Sequence, residues 1–84
     1  METTFLDARG LNCPLPLLKT RQALRGLPVG SLLEVAASDA GSARDIPAYL
    51  RQSPHELVRH DDHQGEFRFV IRRGEEDAAR QGAR

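Results

Sequence analysis

The sequence predicts an α+β fold, a two-layer sandwich with two helices on one face of a four-stranded mixed sheet. Three observations carry this expectation. The 84-residue length allows one small domain. Two segments repeat apolar residues at helical spacing, and four short segments are β-prone or alternate between apolar and polar residues. Their order is strand, helix, strand, helix, strand, strand (βαβαββ), which two layers around one core can bury.

Thr4–Asp7 is the first strand, and Arg9–Asn12 the loop after it. Pro14 suits the first position of a helix, where its missing N–H costs nothing. A helix is therefore expected from Pro14 to about Arg25, stopped by Gly26 and Pro28. On this helix Pro16, Leu17, Thr20, Ala23, Leu24 and Leu27 share a core-facing stripe. Lys19, Arg21, Gln22 and Arg25 lie away from it, and so do Leu15 and Leu18.

After a turn at Val29-Gly30, Leu32–Ala37 reads as the second strand, with Leu33 and Val35 on one face and Glu34 on the other. Ser42-Ala43-Arg44-Asp45 has the spacing of a capping box. It opens a second helix with Ala43, Ile46 and Leu50 inward, and Asp45 is read as a capping residue. Pro47 is acceptable only near a helix start, which moves the expected start toward Asp45. Ser53-Pro54 ends the helix. Glu56–Asp61 and Glu66–Arg72 are the last two strands, joined by a turn at Asp62–Gly65. Residues 1–74 form the expected single domain, and 75–84 a charged, frayed tail.

Composition excludes several classes. Lys plus Arg and Asp plus Glu both number 12, for a net charge of zero, which argues against a general nucleic-acid binder. The one cysteine, Cys13, rules out an internal disulfide and any site of several thiolates. No apolar run approaches the roughly 18 residues of a membrane span. Met1-Glu2-Thr3-Thr4 has neither a basic head nor an apolar stretch, so a reduced, cytoplasmic protein is expected.

Chemistry concentrates at Cys13-Pro14-Leu15-Pro16. The reading puts Cys13 at the N-cap of the first helix, facing free N–H groups and the positive end of the helix dipole. Pro14 and Pro16 fix the angle of the turn. From Ala8 to Leu33 the charged residues are Arg9, Lys19, Arg21 and Arg25, all basic. These features predict a thiolate rather than a buried, inert cysteine. No sequence feature brings His55, His60 or His63 beside Cys13 as a base, and CxxC is absent. A single ionised thiol suits carrying sulfur: it attacks a sulfane sulfur and passes it on by the same exchange. His60-Asp61-Asp62-His63 is read as a polar hairpin turn rather than a metal site. The expected metal and cofactor set is empty.

The stretch Leu6-Asp7-Ala8-Arg9-Gly10-Leu11-Asn12-Cys13-Pro14-Leu15-Pro16 resembles the N-terminal signature of the TusA/SirA/YedF-like sulfur-carrier family. Gly30–Val35, Ser42–Pro47, His55–Val58 and Phe69–Gly74 resemble its later motifs in the same order. The resemblance implies a fold like the C-terminal domain of translation initiation factor three. It also implies a persulfide on Cys13, received from a cysteine desulfurase or other sulfurtransferase. A downstream sulfur-relay protein takes the sulfur, in TusA itself toward wobble 2-thiouridine in tRNA. Two departures stand out: Leu15 replaces a glutamate, and Ala48-Tyr49-Leu50 lacks the second cysteine of TusA. The outward leucines, Leu15 and Leu18, are candidate docking residues, with Arg21 and Arg25 as a basic rim and Arg44 as a further partner contact. The competing reading is a non-catalytic RNA- or protein-binding module whose Cys-Pro-Leu-Pro turn is only a cap. The scarcity of aromatics, Phe5, Tyr49, Phe67 and Phe69, argues against direct nucleic-acid binding.

Overall fold

In a computed structural model, which describes residues 3–75, the six elements follow the expected order. They are β1 (Thr3–Ala8), α1 (Leu15–Arg25), β2 (Leu32–Ala37), α2 (Ala40–Arg51), β3 (Glu56–His63) and β4 (Glu66–Arg72). The four strands form one sheet in the order β1-β2-β4-β3. β1 and β2 are parallel, while β4 runs antiparallel to both β2 and β3, so the sheet is mixed. The expected tail lies outside the described residues beyond Glu75.

Alternation along the strands builds the core. Register places Leu6 beside Val35 and Val35 beside Phe69, while Leu33 lies beside Ile71 and Ile71 beside Leu57. Leu33, Val35, Phe69 and Ile71 are fully buried, and Leu24 of α1 and Ile46 and Leu50 of α2 close the cluster. The predicted stripe of α1 is realised: Pro16, Thr20 and Leu24 are buried, and Leu17, Ala23 and Leu27 pack at the core margin. Buried Thr20 is tolerated because its hydroxyl donates to the Pro16 carbonyl one turn back, at 2.8 Å. The opposite face of the sheet carries charge, with Arg68 paired to both Glu34 and Glu66 and lying over the Phe5 ring.

Four local expectations need correction. Pro14 is the residue before α1 rather than its first member, so Cys13 lies one position outside the N-cap. The α2 helix starts at Ala40, earlier than the capping-box reading allows, because Asp39 rather than Ser42 is its N-cap. The Asp39 carboxylate accepts from the Ser42 backbone N–H at 3.0 Å and from the Ser42 hydroxyl at 3.3 Å. Asp45 is therefore no cap, and Pro47 falls inside the helix. Pro47 forfeits one helical hydrogen bond, but the cap and the burial of Ser42, Ile46 and Leu50 hold α2 across it. Lastly, β3 continues to His63, so the His60–His63 segment is strand, and Gln64-Gly65 alone makes the turn. Both turn residues have positive φ, 52° and 82°, as a two-residue hairpin of type I′ requires.

Candidate functional site

Parallel pairing of β1 with β2 decides where the site forms. Ala8 and Ala37 are register partners at the carboxyl ends of the two strands, so the loops that follow leave the sheet side by side. Each loop leads into a helix, which brings the first turns of α1 and α2 to the same end of the sandwich. The crevice beyond the carboxyl ends of parallel strands is where α/β folds commonly place their chemistry.

The loop carrying Cys13 is held by several local bonds. The Gly10 N–H donates to the Ser38 hydroxyl at 2.9 Å, tying the first loop to the second. The Leu11 N–H reaches the Ala8 carbonyl at 3.3 Å, and the Leu15 N–H reaches the Asn12 carbonyl at 2.8 Å. Gly10 has a φ of 83°, which a residue with a side chain adopts only under strain. The Cys13-Pro14 peptide is cis.

Cys13 is exposed, and its sulfur faces α2 rather than the helix it precedes. The thiol donates to Oδ2 of Asp45 at 3.1 Å. One turn earlier on α2 is Gly41, whose missing side chain makes the approach possible. A Cβ there would stand 3.4 Å from Cys13 Cβ and 3.7 Å from Sγ, and 3.0 Å from the capping oxygen of Asp39. Gly41 and Asp45 lie four residues apart on one helix face, the first leaving room for the sulfur and the second binding its proton.

The expected thiolate is not what this geometry favours. The pKa of Cys13 is raised above its ordinary value, first by the hydrogen bond to Asp45. Desolvation and the charges of Asp45 and Asp39 raise it further, and Arg44 opposes them. The reasons the sequence reading misses this are local. Pro14 and Pro16 have no N–H, and the Leu15 N–H is spent on Asn12, so these three residues offer the sulfur no free donor. Two of the four basic groups are also engaged elsewhere: Arg9 chelates Asp7 with bonds of 2.9 and 3.1 Å, and the Arg21 guanidinium lies 5.6 Å from the centre of the Tyr49 ring. The counter-charges come from α2 and its cap, far along the chain.

The other candidate residues divide. Leu15 and Leu18 stand on the first turn of α1 with 45% and 42% of their surface exposed. Arg44 is exposed and near enough for its charge to act on the sulfur. Arg21 packs on α2, and Arg25 ends α1, about 15 Å of helix from Leu15. The histidines are placed elsewhere: His55 is buried, with Nδ1 accepting from the Gly74 N–H at 2.9 Å, His60 stacks on Phe69, and His63 ends β3 at the hairpin. Of the four aromatics, Phe69 is buried, Phe67 and Tyr49 are half-buried against the core, and Phe5 is exposed with the Arg68 guanidinium over its ring. Sequence reasoning missed Asp39 and Gly41 and misassigned Asp45. The Asp39-x-x-Ser42 spacing is the signal that locates the true cap.

Fold and site together define a small two-layer α/β domain that presents its lone thiol where two parallel strands hand over to two helices. A family model described as sulfurtransferase TusA matches residues 4–73. The chain belongs to this family. It is 41% identical over 68 residues to the sulfur carrier protein TusA of Allochromatium vinosum, covering 81% of this chain and 90% of that protein. It is 44% identical over 68 residues to the sulfur carrier protein TusA of Pseudomonas fluorescens, covering 81% and 82% respectively. Among solved structures, a SirA-like protein from Desulfitobacterium hafniense shares the fold with a TM-score of 0.66. That match covers 88% of this chain and all of the other, at 22% identity. No helix among the described residues is long and apolar enough to cross a membrane.

Proposed function

We propose that this protein is a sulfur carrier that holds sulfane sulfur as a persulfide on Cys13. A cysteine desulfurase or another sulfurtransferase donates the sulfur, and a downstream relay protein accepts it, with tRNA wobble 2-thiouridine as one destination. The observation that carries this reading is the exposure of the chain's single cysteine, in the loop that leads from β1 into α1. The sulfur-carrier names of relatives that match four-fifths of the chain support it. An exposed thiol also fits a carrier better than a cysteine serving only to cap a turn.

Loading is an exchange between sulfurs. Cys13 Sγ attacks the terminal sulfur of the donor's persulfide. A new S–S bond forms to Sγ, the donor's S–S bond breaks, and the donor's own sulfur leaves with the electron pair. The Cys13 proton ends on the donor, so a persulfide and a thiol simply change places. Delivery runs the same exchange toward the acceptor.

A carrier must also meet its partners at the thiol. Leu15 and Leu18 supply exposed apolar surface on the first turn of α1, the helix that Cys13 precedes, and Arg44 supplies a charge that acts on the sulfur. We assign docking to these three, with Arg21 and Arg25 further along α1 as a basic rim, Arg21 lying over the Tyr49 ring of α2. The experiment is intact-mass measurement after incubation with a cysteine desulfurase and cysteine. A gain of about 32 Da that dithiothreitol reverses and Cys13→Ser abolishes supports the reading.

A further inference from the structure

We propose that Asp45 is the proton acceptor for Cys13 in sulfur loading. The inference rests on the carrier reading and deepens it by assigning the proton. A thiol must lose its proton as its sulfur attacks, and none of the three histidines occupies the position of a base. The group in contact with the sulfur is a carboxylate, 3.1 Å from Sγ and within the range of proton transfer. Gly41, four residues before it, admits the sulfur to this face of α2.

Among the described residues, the ionisable groups that act on the sulfur are Asp45, Asp39 and Arg44, all from α2 or its cap. The first turn of α1 contributes no acid. Asp39 is committed to Ser42 by two hydrogen bonds, which leaves Asp45 as the carboxylate aimed at the thiol. In the step, the Sγ–S bond forms as the proton passes from Sγ to Asp45 Oδ2. The donor's S–S bond breaks, and Asp45 then returns the proton to the donor's departing thiolate. No oxidant or reductant enters. Before the donor arrives, the same hydrogen bond holds Cys13 as a thiol, which restrains its reaction with stray electrophiles. Asp45 thus does two opposite things, restraining the idle thiol and assisting the sulfur exchange.

That opposition makes the test specific. Wild type, Asp45→Asn and Asp45→Ser are each treated with iodoacetamide across pH 6–10 and, separately, with glutathione persulfide at pH 7. Loading is followed by intact mass. Iodoacetamide needs the thiolate but expels no thiolate that must be reprotonated. Both variants are expected to alkylate faster than wild type at pH 7, with the alkylation profile moved to lower pH. Both are expected to load sulfur more slowly, by about 100-fold or more, the usual contribution of a positioned acid–base group. Loading that rises together with alkylation would overturn the proposal and leave Asp45 as a charge that merely suppresses ionisation. Loading equal to wild type would overturn it as well. Failure of wild type itself to load, from glutathione persulfide and from a charged desulfurase alike, would overturn the carrier reading instead.

Discussion

Substitution of Asp39 separates the cap of α2 from the charge at the thiol. In Asp39→Ala the Ser42 N–H loses its acceptor, which costs about 1 kcal/mol as a lost N-cap. Ser42 is fully buried, and its hydroxyl loses its acceptor too, adding about 1 kcal/mol. A loss of about 2 kcal/mol lowers the thermal midpoint of a domain this size by about 8–16 °C. Asp39→Asn keeps an oxygen at the cap and costs less than about 0.5 kcal/mol. Both variants remove a negative charge that acts on Cys13, so both make the thiol more acidic. Because the folded protein holds the Cys13 proton more tightly than the unfolded chain does, this group stabilises the fold below the unfolded thiol pKa of about 8.5. That contribution disappears as pH rises through the folded pKa, and in both variants it is smaller. Thermal unfolding at pH 7 and pH 9.5, with iodoacetamide rates beside it, reads all three effects. An alanine variant as stable as wild type, or an asparagine variant as unstable as alanine, would refute the cap argument. Unchanged alkylation in both would refute the electrostatic one.

Other perturbations probe the rest of the molecule. Leu15→Ser with Leu18→Ser should slow sulfur exchange with a protein donor at least tenfold while leaving the iodoacetamide rate unchanged; equal exchange removes the docking assignment. Gly74→Ala would place a methyl group 2.5 Å from the Pro54 carbonyl carbon and closer still to its oxygen, where only the main chain can yield. It should cost about 3 kcal/mol in urea unfolding through this overlap. Asp7, held by Arg9, has its pKa lowered to about 2, first through the side-chain hydrogen bonds. Its contribution to stability is present above the unfolded value of about 3.9 and is lost as pH falls through about 2. Carbon-detected titration should find that midpoint, and Arg9→Ala should return it to the ordinary carboxylate range.

The fold was legible because its signals are local and repetitive. The stripe through Pro16, Thr20 and Leu24, the Leu33–Val35 alternation and the Phe69–Ile71 alternation each name a buried face without knowledge of the partner. The position of Cys13 on the surface was legible for the same reason: a loop followed by a proline stays outside the core. Its ionisation was not. That property depends on Asp45, which the chain meets 32 residues later and only tertiary structure brings within 3.1 Å. A count of charges along Ala8–Leu33 could not show that Arg9 is spent on Asp7 or that Arg21 is turned toward Tyr49. The start of α2 was misread because two cap signals overlap, and the one at Ser42 agreed with Pro47 while the one at Asp39 did not. Folding settled the conflict in favour of the longer helix, whose extra turn includes buried Ser42 and carries Gly41 to the sulfur.

The most direct test of the account is the intact mass of the protein after incubation with a cysteine desulfurase and cysteine. One added sulfur, about 32 Da, is expected, removed by dithiothreitol and absent from Cys13→Ser. A wild-type mass that stays unchanged with the desulfurase, with thiosulfate and a rhodanese, and with glutathione persulfide would contradict it.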